Sequence, residues 1–342
     1  MKQLKLIVAF VAGLFAFTSV QAGEMSVTGT MQATYQSEVD DVTGNPLGIN
    51  TDIKLSGSTD TDFGTVTMSL ATDGTFLGDS GADHTYALAT DMGTITIGNS
   101  GDSGNAVDDI TPTAFEEANG SGSGTYSTDF GSGMDGSMSL KYSNGDVMGT
   151  GISLSYSYYP RLDGTTNNEK AASGAANAAK KSAQSVNVGI PLGGLPLVGN
   201  TPLGAAKITL GYENSDPEAT SYQPKEGGTI AVVMPVGPLS VGFQKKAYSP
   251  LSTANGTKEF YKDDVIGIAY AINDDFAISY NQYTSVKHAN AGADVEQETE
   301  AFNIAYTIGG LTLGFQDAKT ANAGYTSGSD DDTRTISIKT AF

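Results

Sequence analysis

The segment Asp332–Phe342 alternates polar and apolar residues and stops on an aromatic ring. Thr333, Thr335, Ser337 and Lys339 fall on one face of an extended chain, and Ile336, Ile338 and Phe342 on the other, with Thr340 a polar exception. Successive strand side chains point to opposite faces, so this pattern defines one wet face and one greasy face. A strand of this kind is suited to water on one side and lipid on the other. The feature sets the solvent before any topology is considered.

The opposite end carries Lys2 and Lys5, then an apolar run from Leu6 to Phe17, then Val20-Gln21-Ala22. This order predicts a signal peptide over residues 1–22, cleaved near Ala22, with one mature domain over 23–342. The run is too short for a spanning helix, which needs about 20 apolar residues. Any crossing of a membrane therefore falls to strands.

Period-two segments recur along the whole chain. Met25, Val27, Met31, Ala33 and Tyr35 share one face, and Ser26, Thr28, Thr30, Gln32, Thr34 and Gln36 share the other. Further strands are predicted near 48–59, 64–73, 83–91, 94–99, 133–143, 149–159, 184–191, 205–213, 228–235, 238–247, 263–272, 275–286, 298–308, 311–318 and 332–342, sixteen in all. Short turns (Thr59–Phe63, Asp91–Gly93, Asn144–Gly149, Pro235–Pro238, Asn273–Asp275, Gly309–Gly310) alternate with long polar stretches. The longest of these covers 100–132. Pro191–Gly204 is longer than its place in the alternation requires. One trimmed rim and one looped rim are the mark of a transmembrane β-barrel. For an even number of antiparallel strands to close without an open edge, the first strand must pair with the last. Asn168–Ser182 is Ala-rich and reads as a surface segment of a long loop, with a short helix as the other reading.

The chain holds no Cys, so stability rests on burial and hydrogen bonding and not on a disulfide framework. Its formal charge of −20 excludes a nucleic-acid partner, which requires a basic surface. Gly-Asp-Ser-Gly occurs at Gly78–Gly81 and Gly101–Gly104 and matches the nucleophile turn of trypsin-like proteases. That chemistry needs a histidine base held by a carboxylate. Neither His84 nor His288 has such a setting, so no enzyme is expected. The reading requires no cofactor. Asp40-Asp41, Asp108-Asp109 and Asp330-Asp331-Asp332 offer oxygen ligands that suit Ca2+, although none fits an EF-hand loop.

Met92-Gly-Thr-Ile-Thr-Ile-Gly98, Leu140-Lys-Tyr-Ser-Asn-Gly145 with Ile152–Tyr158, Gly310-Leu-Thr-Leu-Gly-Phe315 and the terminal Phe342 occur in an order that resembles the general Gram-negative porins of the alphaproteobacterial type. The resemblance runs over all of the mature chain. It implies a homotrimer of sixteen-stranded barrels in the outer membrane, among its lipids and lipopolysaccharide, inserted by the barrel assembly machinery, which reads the terminal aromatic strand. It implies a third loop folded into the lumen, and passive diffusion of small hydrophilic solutes without catalytic residues. Two departures stand out. An arginine cluster opposite the third loop is missing, with only Arg161 and Arg334 in the chain, and Thr111-Pro-Thr-Ala-Phe-Glu-Glu117 replaces the family's PEFGG-like signature.

Given the resemblance, Asp102, Asp108, Asp109, Glu116 and Glu117 are the expected carboxylates of a pore constriction. Lys54, Lys141, Lys246 and Lys339 lie on the polar phase of their strands and are expected to oppose them across the lumen. A preference for cations follows from the acidic excess. Outward positions of the first five strands are poor in aromatics, with Tyr35 and Tyr86 the exceptions, compared with Tyr156, Tyr158, Tyr212, Phe243, Tyr270 and Phe302 later in the chain. Aromatics belong at lipid interfaces, so a trimer through the N-terminal wall is expected. The alternative of another class is a secreted or surface-displayed β-rich adhesin or structural protein. Such a protein has no reason to alternate in every strand while sorting its loops by length.

Overall fold

A computed structural model describes residues 23–38, 44–73, 83–118, 130, 134, 137–162, 181–194, 198–199, 201–216, 223–250, 259–289 and 292–342. Sixteen strands close into one antiparallel barrel in which each strand pairs with its chain neighbours. They are β1 (Glu24–Glu38), β2 (Leu47–Thr61), β3 (Gly64–Asp73), β4 (Asp83–Thr90), β5 (Gly93–Gly98), β6 (Ser139–Asn144), β7 (Ser153–Tyr159) and β8 (Ala183–Pro191). The second half holds β9 (Lys207–Ser215), β10 (Lys225–Val236), β11 (Leu239–Ser249), β12 (Glu259–Ala271), β13 (Phe276–Ala289), β14 (Val295–Ile308), β15 (Leu311–Ala321) and β16 (Asp331–Ala341). β1 pairs with β16 from Thr30–Ala341 to Glu38–Thr333, so no edge strand remains.

Burial is inverted relative to a soluble protein. Ser157, Gln244, Thr299, Asn303, Gln316 and Ser337 are almost fully buried, whereas Ile230, Phe243, Ile266, Ile268 and Phe302 are exposed. The polar set shares the inner face and the apolar set the outer one. Outward charges gather toward the looped rim, where Lys245 meets Asp264 at 2.6 Å and Arg334 meets Asp317 at 3.3 Å. A charge at mid-membrane on the lipid face costs about 2–4 kcal/mol for Lys or Arg, and the cost fades toward the interface.

Two short turns share one chemistry. In Thr61-Asp-Phe-Gly64 the threonine hydroxyl donates to Gly64 O at 2.7 Å and accepts from Phe63 N–H, and Thr90-Asp-Met-Gly93 repeats both bonds. Gly64 and Gly93 have φ of 137° and 121°, a region that favours glycine. Gly309-Gly310 forms another two-residue turn with φ positive at both positions, as a tight hairpin demands.

Where sequence and structure differ, the reasons are local. β6 begins at Ser139 and not at 133, because Met134 is buried with Tyr159, Leu162 and Ala183 as part of a loop. β7 begins at Ser153, since Val147–Gly149 forms a 3-10 turn held by Thr150. The long Pro191–Gly204 connection contains two such turns, Leu192–Gly194 and Pro202–Ala205. β12 and β14 start earlier than expected, because their ladders continue beyond the point where outward residues turn charged (Lys262, Glu296, Glu298). The signal peptide, most of 168–182, Asp40-Asp41 and the first Gly-Asp-Ser-Gly lie outside the described residues.

Candidate pore constriction

The third long loop leaves β5 at Gly98, and its described residues up to Ala118 lie against the inner wall. At its root, Asp102 accepts from Gly104 N–H at 3.0 Å and from the Ser185 hydroxyl of β8. The Ser103 hydroxyl shares hydrogen bonds of 2.7 Å with Ser155 and Ser157 of β7, and Asn187 donates to Ser103 O. The serine of the second Gly-Asp-Ser-Gly is therefore a wall anchor. After a short 3-10 turn at Asn105–Val107, Gln244 of β11 donates to the carbonyls of Val107 and Asp108 and accepts from Ile110 N–H. Asn281 then donates to Pro112 O, and Ser279 accepts from Ala114 N–H. Asn303 accepts from Glu116 N–H, and Gln316 donates to Glu116 O and Glu117 O. Each such bond contributes about 0.5–1.5 kcal/mol net.

The wall is shaped to receive this loop. A side-chain carbon at Gly211 would lie 2.7 Å from Val107, at Gly242 2.3 Å from Pro112, at Gly267 2.7 Å from Pro112 O, and at Gly314 2.4 Å from the Phe115 ring. All four glycines occupy lumen-facing positions of their strands. Apolar contacts add further attachment: Val107 and Phe130 pack with Tyr248 and Tyr261, and Ala118 packs with Val265, Tyr283, Ala301 and Ala318.

The expected carboxylates divide into distinct environments. Asp108 and Asp109 converge on Lys246, whose Nζ lies 3.0 and 3.1 Å from their Oδ1 atoms and 3.9 Å from Asp263 Oδ2. Lys246 is fully buried and also stands 4.8 Å over the Tyr283 ring. Tyr283 and Ser285 donate to Asp263, completing a three-carboxylate, one-ammonium cluster between loop and wall. Glu116 is half-buried beside Lys339 of β16 and a hydrogen bond from Gln32 of β1; burial is the main influence and raises its carboxyl above the usual range. Asp102 is buried at the loop root, where Lys141 donates to Gly101 O at 2.6 Å. Lys54 is exposed on the inner face of β2, where Asp52, Ser56 and Ser69 nearby are half-buried.

Sequence reasoning missed Asp263, Gln244, and the buried pair Lys225–Glu213 at 3.1 Å. Their inward phase was readable; their register against the loop was not. Arg334 faces outward. His84 N–H donates to Asn99, and His288 pairs with Asp294 at 2.7 Å and stacks on Phe260. Among the described residues no group of three acidic or histidine side chains gathers in metal-binding geometry.

No family model and no curated protein matches this sequence. Solved structures do match the fold. The trimer form of OmpT, an outer membrane protein of Vibrio cholerae, aligns at a TM-score of 0.66 and 12% identity over 94% of this chain and all of its own. The anion-selective porin from Comamonas acidovorans aligns at 0.65 and 10% identity over 94% and 100%. Salmonella typhi OmpF, in complex with daunomycin, aligns at 0.64 and 12% over 94% and 98%. The chain therefore has the sixteen-stranded fold of porins.

Proposed function

We propose that the protein is an outer-membrane porin, a water-filled channel for passive diffusion of small hydrophilic solutes and ions. The observation that carries this reading is the inversion of burial: a polar inner wall, an apolar outer wall, and a loop pinned across the interior. An adhesin would bury its apolar residues and has no use for this arrangement. The sequence resemblance supports the alphaproteobacterial affiliation, residence in the outer membrane of a Gram-negative cell, and cleavage near Ala22.

Selectivity belongs to the loop and cannot be taken from the fold, since a structural neighbour of equal likeness is described as anion-selective. At the constriction Lys246 offsets one of the three charges on Asp108, Asp109 and Asp263, and Lys339 opposes Glu116. The local balance stays negative, which supports a moderate cation preference focused by low-dielectric walls. Assembly as a trimer through the outward face of β1 to β5 is supported by its exposed, aromatic-poor residues Met25, Val27, Met31, Leu55 and Met68.

Liposome swelling tests the function. Vesicles carrying the folded protein should swell in isosmotic solutions of small neutral sugars, more slowly as the sugar grows. Vesicles no more permeable than protein-free controls would refute a diffusion channel.

A further inference from the structure

The inner face of β10 breaks the polar pattern of the wall. Ala231, Val233 and Pro235 occupy its inward positions toward the short-turn rim, continuing the phase of Thr229, which bonds Gln244 across the strand pair. Between the third loop and the wall, Val233 and Pro235 line a cavity of about 470 Å³ together with Ile110, Asn187, Thr209 and Lys207. That volume lies within the roughly 300–1,000 Å³ of small-molecule sites. Among the described residues of its lining, Lys207 is the one charged group. A side-chain carbon at Gly189 would lie 2.5 Å from Lys207 Cε and 2.9 Å from Nζ, so glycine there leaves the space the ammonium occupies.

Apolar side chains lining a wet lumen gain when a ligand's apolar body displaces water from them, by about 25 cal/mol per Å² covered. A single ammonium beside such a surface selects an anion, and among the described lining residues no carboxylate favours a cation. Asn187 and Thr209 add hydrogen-bonding groups on the same wall. We propose that this cavity binds small organic monocarboxylates with an apolar body the size of one ring or a short branched chain. The carboxylate pairs with Lys207, and the body rests on Val233, Pro235 and Ile110. The site gives a cation-preferring channel a place to retain a minority class of anionic solute on its way through. It rests on the lumen being a solute path, which conductance in plain KCl tests separately.

Calorimetric titration of the folded, detergent-solubilised protein decides the matter, with sodium benzoate, sodium acetate and benzylammonium chloride as probes. Benzoate should bind saturably, and acetate and benzylammonium at least about tenfold more weakly. Lys207→Gln should weaken benzoate by about tenfold or more, while Lys207→Arg keeps most of the affinity. Lys207 is exposed, so both variants retain the barrel, and micelle partitioning is common to all samples. Benzoate binding unchanged in Lys207→Gln, or acetate or benzylammonium binding as tightly as benzoate, would overturn the site. Loss of the site with intact KCl conductance leaves the channel reading standing.

Discussion

Lys246 Nζ lies 3.0 Å from Asp108 Oδ1, joining the third loop to β11 across 138 residues of chain. The lysine is buried, and Asp109 and Asp263 share its charge. Removing one partner of a buried pair costs about 3–5 kcal/mol, because the remaining charges are left uncompensated. Lys246→Gln should therefore loosen the loop: single-channel records should become noisier, with larger open steps, and the folded band on gels should be lost at a lower temperature. Quiet steps of unchanged size would show that the cluster does not hold the loop.

Ion selectivity should follow the loop carboxylates. Neutralising Asp108, Asp109, Glu116 and Glu117 together should move the reversal potential in a KCl gradient toward anions. Neutralising Lys339 alone should move it the other way. Both shifts should fade near 1 M salt, where the Debye length is about 3 Å. A wild-type channel that already prefers chloride would mean that the inward lysines dominate.

Glu116 should give the proposed channel a pH dependence with a definite sign. Burial raises its pKa from the usual 4.5, against the opposing influence of Lys339. Acidification therefore neutralises Glu116 before ordinary exposed carboxylates, and cation preference should begin to fall above the normal carboxyl range. For stability, a carboxyl that holds its proton more tightly when folded contributes fully below the unfolded pKa and loses that contribution as pH rises through the folded one. Reversal potentials of wild type and Glu116→Gln measured from pH 7 downward check this. The variant should lack the early change, and identical titrations would contradict it.

The seam between β1 and β16 extends to Phe342. Gly29 N–H donates to Phe342 O at 2.9 Å, and Phe342 N–H donates to Gly29 O at 3.0 Å. A side-chain carbon at Gly29 would lie 2.5 Å from the Phe342 ring, so the ring covers the strand where glycine leaves a gap. Deleting Phe342 should impair assembly, and Gly29→Val should do so more mildly by displacing the ring. Pulse-chase measurement of heat-modifiable protein reports both, and normal assembly without Phe342 would refute its role.

All sixteen strands were legible because a polar inner wall and an apolar outer wall impose period two along the barrel. β6 misled because Met134 and Met138 continue that rhythm, yet Met134 serves an apolar contact with Tyr159 and Leu162 inside the barrel. Asp108, Asp109 and Lys246 were singled out by residue type, and the structure brings these three side chains together. Their partner Asp263 was not, since contacts between a loop and strands more than a hundred residues away have no local signature. The lumen-phase glycines Gly211, Gly242, Gly267 and Gly314 were a readable clue, marking where a second layer of chain lies on the wall.

The barrel should enclose a water-filled path narrowed by the pinned loop. Planar-bilayer recording of the folded, unboiled protein tests it most directly. Discrete conductance steps should appear and grow in proportion to bulk KCl conductivity, with a modest cation-side reversal potential in a gradient. Folded barrels that insert yet pass no current would contradict it.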